Sequence, residues 1–164
     1  TTAIVRTWRR PREVMRDLLA QGRREDRAIA YLMIACFLIF VAQWPRLSRL
    51  AAGFDLPPGA DVPTLDRLMA YEFMAWLMIW PLFLYIFAAL THIVAKLFGG
   101  QGDWYGARLA LFWTMLATTP LLLLYGLTAG FMGPGVETRL VGGLWVAAFV
   151  VIWLQCLREA ESKE

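Results

Sequence analysis

An all-α, polytopic membrane bundle of four transmembrane helices with an N-terminal amphipathic interfacial helix is the fold class this sequence predicts. Three observations carry it: four long apolar runs, a basic segment ahead of the first, and Gly- and Pro-rich joints between them. The runs extend over Ala28 to Trp44, Leu68 to Ala95, Leu109 to Met132 and Leu140 to Leu157. A helix rises about 1.5 Å per residue, so roughly 18 or more apolar residues are needed to cross a hydrocarbon core of about 30 Å. Hydrophobic content of 59% and a mean hydropathy of +0.53 agree. A soluble domain is apolar over only about half of its residues.

The elements follow in chain order. Residues 1–27 carry eight arginines, Arg6, Arg9, Arg10, Arg12, Arg16, Arg23, Arg24 and Arg27, against Glu13, Asp17, Glu25 and Asp26. Within them the pattern predicts a helix from Pro11 to Gln21. Proline suits the first helical position and Gly22 the end. Val14, Met15, Leu18 and Leu19 share one face, with Arg12, Glu13, Arg16 and Asp17 elsewhere, so the helix is amphipathic and suited to the interface plane or to docking on the protein's own loops. Trp8, just before it, is placed at headgroup depth. The segment's length, its acids and the lack of a small-residue cleavage site after Val41 argue against a cleaved signal peptide. The transmembrane domain is assigned to 28–158 and a short tail to 159–164.

The first span is expected to start near Asp26 and stop near Trp44, because Pro45 cannot easily extend a helix. Residues 51–66 form the longest loop, dense in Pro and Gly. The second run, counted to Phe98, exceeds an upright crossing, and a kink at Pro81 or a tilt absorbs the excess. Gly99-Gly100-Gln101-Gly102 ends it. Thr118-Thr119-Pro120 predicts a kink in the third span, with threonine hydroxyls for the freed carbonyls. Gly133-Pro134-Gly135 turns into the fourth. With four crossings, both termini share a side with the turn at 96–108. That side holds twelve basic residues against four (Arg46, Arg49, Arg67, Arg139) on the other. The positive-inside rule then places both termini in the cytoplasm.

Chemistry-bearing constellations are sparse. Cys36 and Cys156 lie in apolar runs and read as buried reduced thiols. No Cys/His spacing suits a metal, and no cofactor or nucleic-acid partner is expected. The only serines are Ser48 and Ser162, and the single histidine is His92, so no serine–histidine–acid arrangement can be drawn. Gly100 to Gly106 misses the dinucleotide spacing and follows a membrane helix, not a strand. Glu72 and His92 are the ionisable groups inside the runs, and such groups are functional suspects by default. They stand twenty residues apart on one helix, about 30 Å, so each is read as interfacial and not as half of one site. The lipid-headgroup candidates are Arg9, Arg10, Arg12, Arg16, Arg23 and Arg24. Helix packing or partner contact is assigned to Ala110, Thr114, Gly126, Gly130, Gly143 and Ala147, small residues at spacings that let backbones approach.

The stretch His92-Ile-Val-Ala-Lys-Leu-Phe-Gly-Gly-Gln-Gly-Asp-Trp-Tyr-Gly-Ala-Arg-Leu-Ala, continuing through Phe112 to Thr119-Pro120-Leu-Leu-Leu-Leu, resembles the Yip (Ypt-interacting-protein) family of small multi-span membrane proteins. A helix end, a Gly-Gly-x-Gly turn and a span with a mid-helix proline recur there in that order. The Arg-rich opening and Ala42-Gln-Trp-Pro-Arg-Leu47 resemble proteobacterial members in particular, and an arginine-to-lysine ratio of 14 to 2 reads separately as the coding bias of a GC-rich genome, which suggests a bacterium. Eukaryotic relatives have five predicted spans against four here, and they accompany Rab-type GTPases. The resemblance brings no catalytic residues.

The expectation is therefore a non-enzymatic protein of the bacterial inner membrane. It would be a scaffold or accessory subunit whose partners are membrane lipids and other subunits or copies of itself. The alternative is a small lipid or proton transporter or channel acting as an oligomer, although inverted repeats and midplane polar groups are missing.

Overall fold

The computed structural model describes residues 2–162, and among them the chain is helical without a strand. Two short helices open it, α1 (Thr2–Arg9) and α2 (Pro11–Leu19). Four long segments follow: α3 (Glu25–Ala51), α4 (Leu65–Met74) continued into α5 (Trp80–Leu97), α6 (Trp104–Phe131) and α7 (Val136–Glu161). Each of the four is long and apolar enough to cross a membrane.

The four segments are not equivalent. Over its most apolar stretch α6 is 72% buried, against 39% for α3, 11% for α7 and 6% for the α4–α5 segment. Helix α6 is thus the axis of the bundle, gripped by α3 and α7, with α5 against a narrower strip. From Tyr105 to Thr119 nearly every side chain is buried. Leu82, Phe83, Ile86, Phe87 and Leu90 of α5 and Leu140, Leu144 and Val151 of α7 are exposed. In lipid such side chains need no burial, since hydrocarbon tails are as apolar as leucine. The small faces of α6 do the close packing. Ala107, Ala110, Thr114 and Thr118 are fully buried. A Cβ on Gly126 or Gly130 would overlap the backbone of Ala42 or Pro45 on α3.

Three prolines lie within long helices, and each is accommodated differently. Helix α3 does not stop at Trp44 as expected but runs through Pro45 to Ala51. Gly130 leaves room for the Pro45 ring, Leu47 beyond it is buried, and Arg49 reaches Asp55 at 2.6 Å. Favourable packing after the proline outweighs its lost hydrogen bond. At Pro81 the expected distortion takes the form of a π-helical turn at Ala75–Ile79, where the Trp80 N–H reaches back to the Ala75 carbonyl. Pro81 has no N–H and its ring crowds the carbonyl four residues earlier, and widening the turn relieves both. At Pro120 the Thr119 hydroxyl donates to the Leu116 carbonyl at 2.8 Å. That carbonyl is the one a proline at 120 leaves without its amide donor.

Candidate functional site

The N-terminal helices cover the half of α6 that faces the close of α7. Helix α2 spans Pro11–Leu19, the predicted segment less its last two residues, with Gly22 beyond it at φ +80°. Val14 and Met15 are buried, and α2 lies on α7. The Pro11 carbonyl is 3.8 Å from the Cys156 thiol, and Arg16 donates to Glu159 Oε1 at 2.6 and 2.8 Å. Of the two environments open from sequence for the apolar stripe, this chain's own α7 takes much of it.

Helix α1 is an element the sequence reading leaves out. It docks through two indoles. Trp8 Nε1 donates to the Ala117 carbonyl and Trp113 Nε1 to the buried Thr7 hydroxyl, both at 3.0 Å. Trp8 is therefore not a free headgroup anchor, because its polar edge is turned into the bundle. A short segment rich in Thr and Arg has no apolar run to announce it. Its one signal is a high contrast between its two faces.

The arginines divide by partner. Arg16 is paired with Glu159, Arg23 with Asp103, Arg24 with Asp26 and Arg10 with Glu13. Arg6 pairs with Asp17 at 3.0 Å. Among the described residues, Arg9 and Arg12 form no ion pair, and both are exposed. The six headgroup candidates are therefore distributed over the joints of the segment, not gathered in one patch.

A second polar cluster is buried where α5, the following turn and α7 meet. His92 is fully buried, with Nδ1 2.7 Å from Glu161 Oε1. The Gly102 N–H donates to Glu161 Oε2 at 3.1 Å, and the Gln101 N–H donates to the Glu161 carbonyl at 3.0 Å. The Trp104 ring lies 4.5 Å from the imidazole, centroid to centroid. A side chain on Gly102 would overlap the Ala160 carbonyl, so glycine is required for this close approach. His92 does sit at an end of the bundle, yet without the exposure an interfacial residue implies. Its partner was not foreseen, since Glu161 is 69 positions away in a charged tail that looks solvated.

Asp103 caps α6, its side chain accepting from the Gly106 N–H at 2.7 Å. Burial pushes its pKa up, but the Gly106 N–H and the Arg23 guanidinium pull it down further, below the ordinary carboxylate value. Glu72 lies at the other end of the bundle, 3.9 Å from Arg46. Glu72 and His92 are thus engaged with different partners. Among the packing candidates Ala110, Thr114, Gly126 and Gly130 face the bundle interior. Gly143 and Ala147 face outward, with open space around Gly143. Cys36 and Cys156 are both buried and free. Among the described residues no group of three or more His, Cys, Asp or Glu is placed to hold a metal ion.

Neither a curated protein nor a solved structure gives a significant match to this chain. The Yip1 domain model does, over residues 5–164. That match takes in α2, all four long helices, the glycine turn and the His92–Glu161 cluster. With nearly its full length covered, the chain belongs to the Yip1-domain family of membrane proteins.

Proposed function

We propose that this chain is a non-enzymatic membrane protein, a scaffold or accessory subunit of a larger membrane assembly, that also holds anionic lipid through its N-terminal basic helices. The reading sets it in a bacterial inner membrane with both termini cytoplasmic, following the arginine asymmetry. One observation carries the partner half. Gly126 and Gly130 of α6 meet α3 at Ala42 and Pro45, whereas Gly143 and Ala147 of α7, at the same four-residue spacing, face outward. Small residues at helix contacts let backbones approach, which is where association energy in lipid arises. Leu140, Leu144 and Val151 flank them on an exposed apolar wall. The ionisable groups near the bundle ends, His92 with Glu161 and Arg46 with Glu72, are tied into pairs, an arrangement that favours a structural over a catalytic use.

The test is native purification from the source membrane in mild detergent, with mass spectrometry of everything retained. Wild type should migrate as a defined complex, and Gly143→Leu should release it while leaving thermal stability unchanged. A wild-type chain that consistently migrates alone and monomeric ends the partner half of the proposal.

A further inference from the structure

The geometry points to a single phospholipid site in the notch between α1 and α2, where Arg9, flanked by Arg6 and Arg10, takes the phosphodiester of an anionic glycerophospholipid. This rests on the lipid-contact half of the proposed function and gives it a location. The notch is lined by Val5, Arg6, Arg9, Arg10 and Glu13 and encloses about 380 Å³.

Depth supports a lipid ligand. Gly130 packs on Pro45, next to Arg46, whose pair with Glu72 marks the charged border at one end. Counting down α6 from Gly130, Ala117 is about 20 Å away and Trp113 about 26 Å. These two residues bond to Trp8 and Thr7. In a hydrocarbon core of about 30 Å, α1 therefore sits roughly 5–10 Å inside the far border, the depth at which amphipathic helices bind. Arginines at that depth reach toward phosphates, keeping their aliphatic stems in the apolar layer.

Charge supports an anionic one. Arg10 is held by Glu13, and Arg6 by Asp17. These pairs tie the two helices together and fix the elbow. Arg9 is left in the notch without a carboxylate partner among the described residues. One monoanion balances it, and a guanidinium fork meets two phosphate oxygens at once. A choline headgroup would bring its own cation against three arginines, so an anionic lipid is preferred over a zwitterionic one. Val5, 61% exposed beside the arginines, offers apolar surface to the lipid's glycerol end.

The experiment uses the full chain in nanodiscs made from mixed phosphatidylglycerol and phosphatidylcholine, with retained lipids counted by native mass spectrometry. One phosphatidylglycerol should remain bound in wild type. Arg9→Gln should lower its retention about tenfold, Arg9→Lys should restore part of it, and Arg158→Gln, the same charge change at an exposed position in the last turn of α7, should leave it near wild type. Unfolding temperatures of all variants are read in parallel, and Arg9→Lys covers the case in which Arg9→Gln disturbs the fold. Equal losses for Arg9→Gln and Arg158→Gln would overturn the notch while leaving diffuse lipid contact standing. No preference for phosphatidylglycerol in wild type would overturn both. Displacement of the lipid by millimolar glycerol 3-phosphate would show a soluble phosphate site and overturn the lipid assignment.

Discussion

At position 161 one carboxylate accepts from the His92 ring and from the Gly102 N–H, with the Gln101 N–H bonded to the carbonyl of the same residue. Three separate chain segments therefore meet on a single residue, around the buried His92 and Glu161 side chains. Breaking such a bond strands a buried polar partner, which costs about 1–3 kcal/mol. His92→Ala and Glu161→Ala should each lower unfolding stability by about that amount, read from thermal melts in detergent. The double variant should lose clearly less than the two losses combined, because the pair acts as a unit. Strict additivity would show that the two side chains do not depend on each other. Asp103, nearby, makes a pH prediction. Its folded pKa lies below its unfolded value of about 3.9. Its contribution is thus fully present above about pH 4 and is lost as pH falls through the lower folded value. The side chain is 39% exposed, so the effect is small and screened. Melting temperature against pH should fall less steeply below pH 4 in Asp103→Asn than in wild type; identical acid limbs would remove the effect.

Among elements, the prolines show how far a sequence announces its own distortions. Pro81 and Pro120 mark where helices must bend, because the missing N–H and the crowding ring are properties of the residue itself. What form each bend takes depends on neighbours. Thr119 sits one position before Pro120 and its hydroxyl takes the freed Leu116 carbonyl, so that solution was visible locally. The π-helical turn at Ala75–Ile79 and the passage of α3 through Pro45 were not, since the second depends on Gly130, far along the chain. Helix α1 was invisible for a related reason. It is held by two indole hydrogen bonds to α6 and by Ala3 and Ile4 against the core, contacts that only the tertiary structure supplies. Thr119→Val keeps the shape at the kink but removes the donor. It should cost about 1–2 kcal/mol, and Thr119→Ser should restore most of it. A neutral Thr119→Val would mean that the carbonyl finds another donor.

Across the whole molecule, the four spans were legible because bilayer thickness alone sets their length and polarity, and each of Ala28–Trp44, Leu68–Ala95, Leu109–Met132 and Leu140–Leu157 met that demand. Which helix forms the core was not legible. In water the buried helix differs from its neighbours by an apolar stripe, but in lipid every helix is apolar on all sides. Helices α6 and α7 both carry small residues four apart, and hydrophobicity does not separate them. Only the packing does: Gly126 is pressed on Ala42, and Gly143 looks out. One substitution made at each position tests this division of labour. Gly126→Ile drives a branched side chain into the α3 backbone, an overlap with nowhere to relax. Overpacking costs typically about 1–3 kcal/mol, more when backbone must move. Its melting temperature should therefore drop sharply, and most of the protein should fail to survive extraction. Gly143→Ile meets open space, so its melting temperature should match wild type. If the outward face of α7 holds a partner or a second copy, the same variant should lose a disulfide crosslink engineered at Ala147 that forms in native membranes. Equal melting losses at the two positions would contradict the packing asymmetry. An intact crosslink in Gly143→Ile would move the association surface off α7.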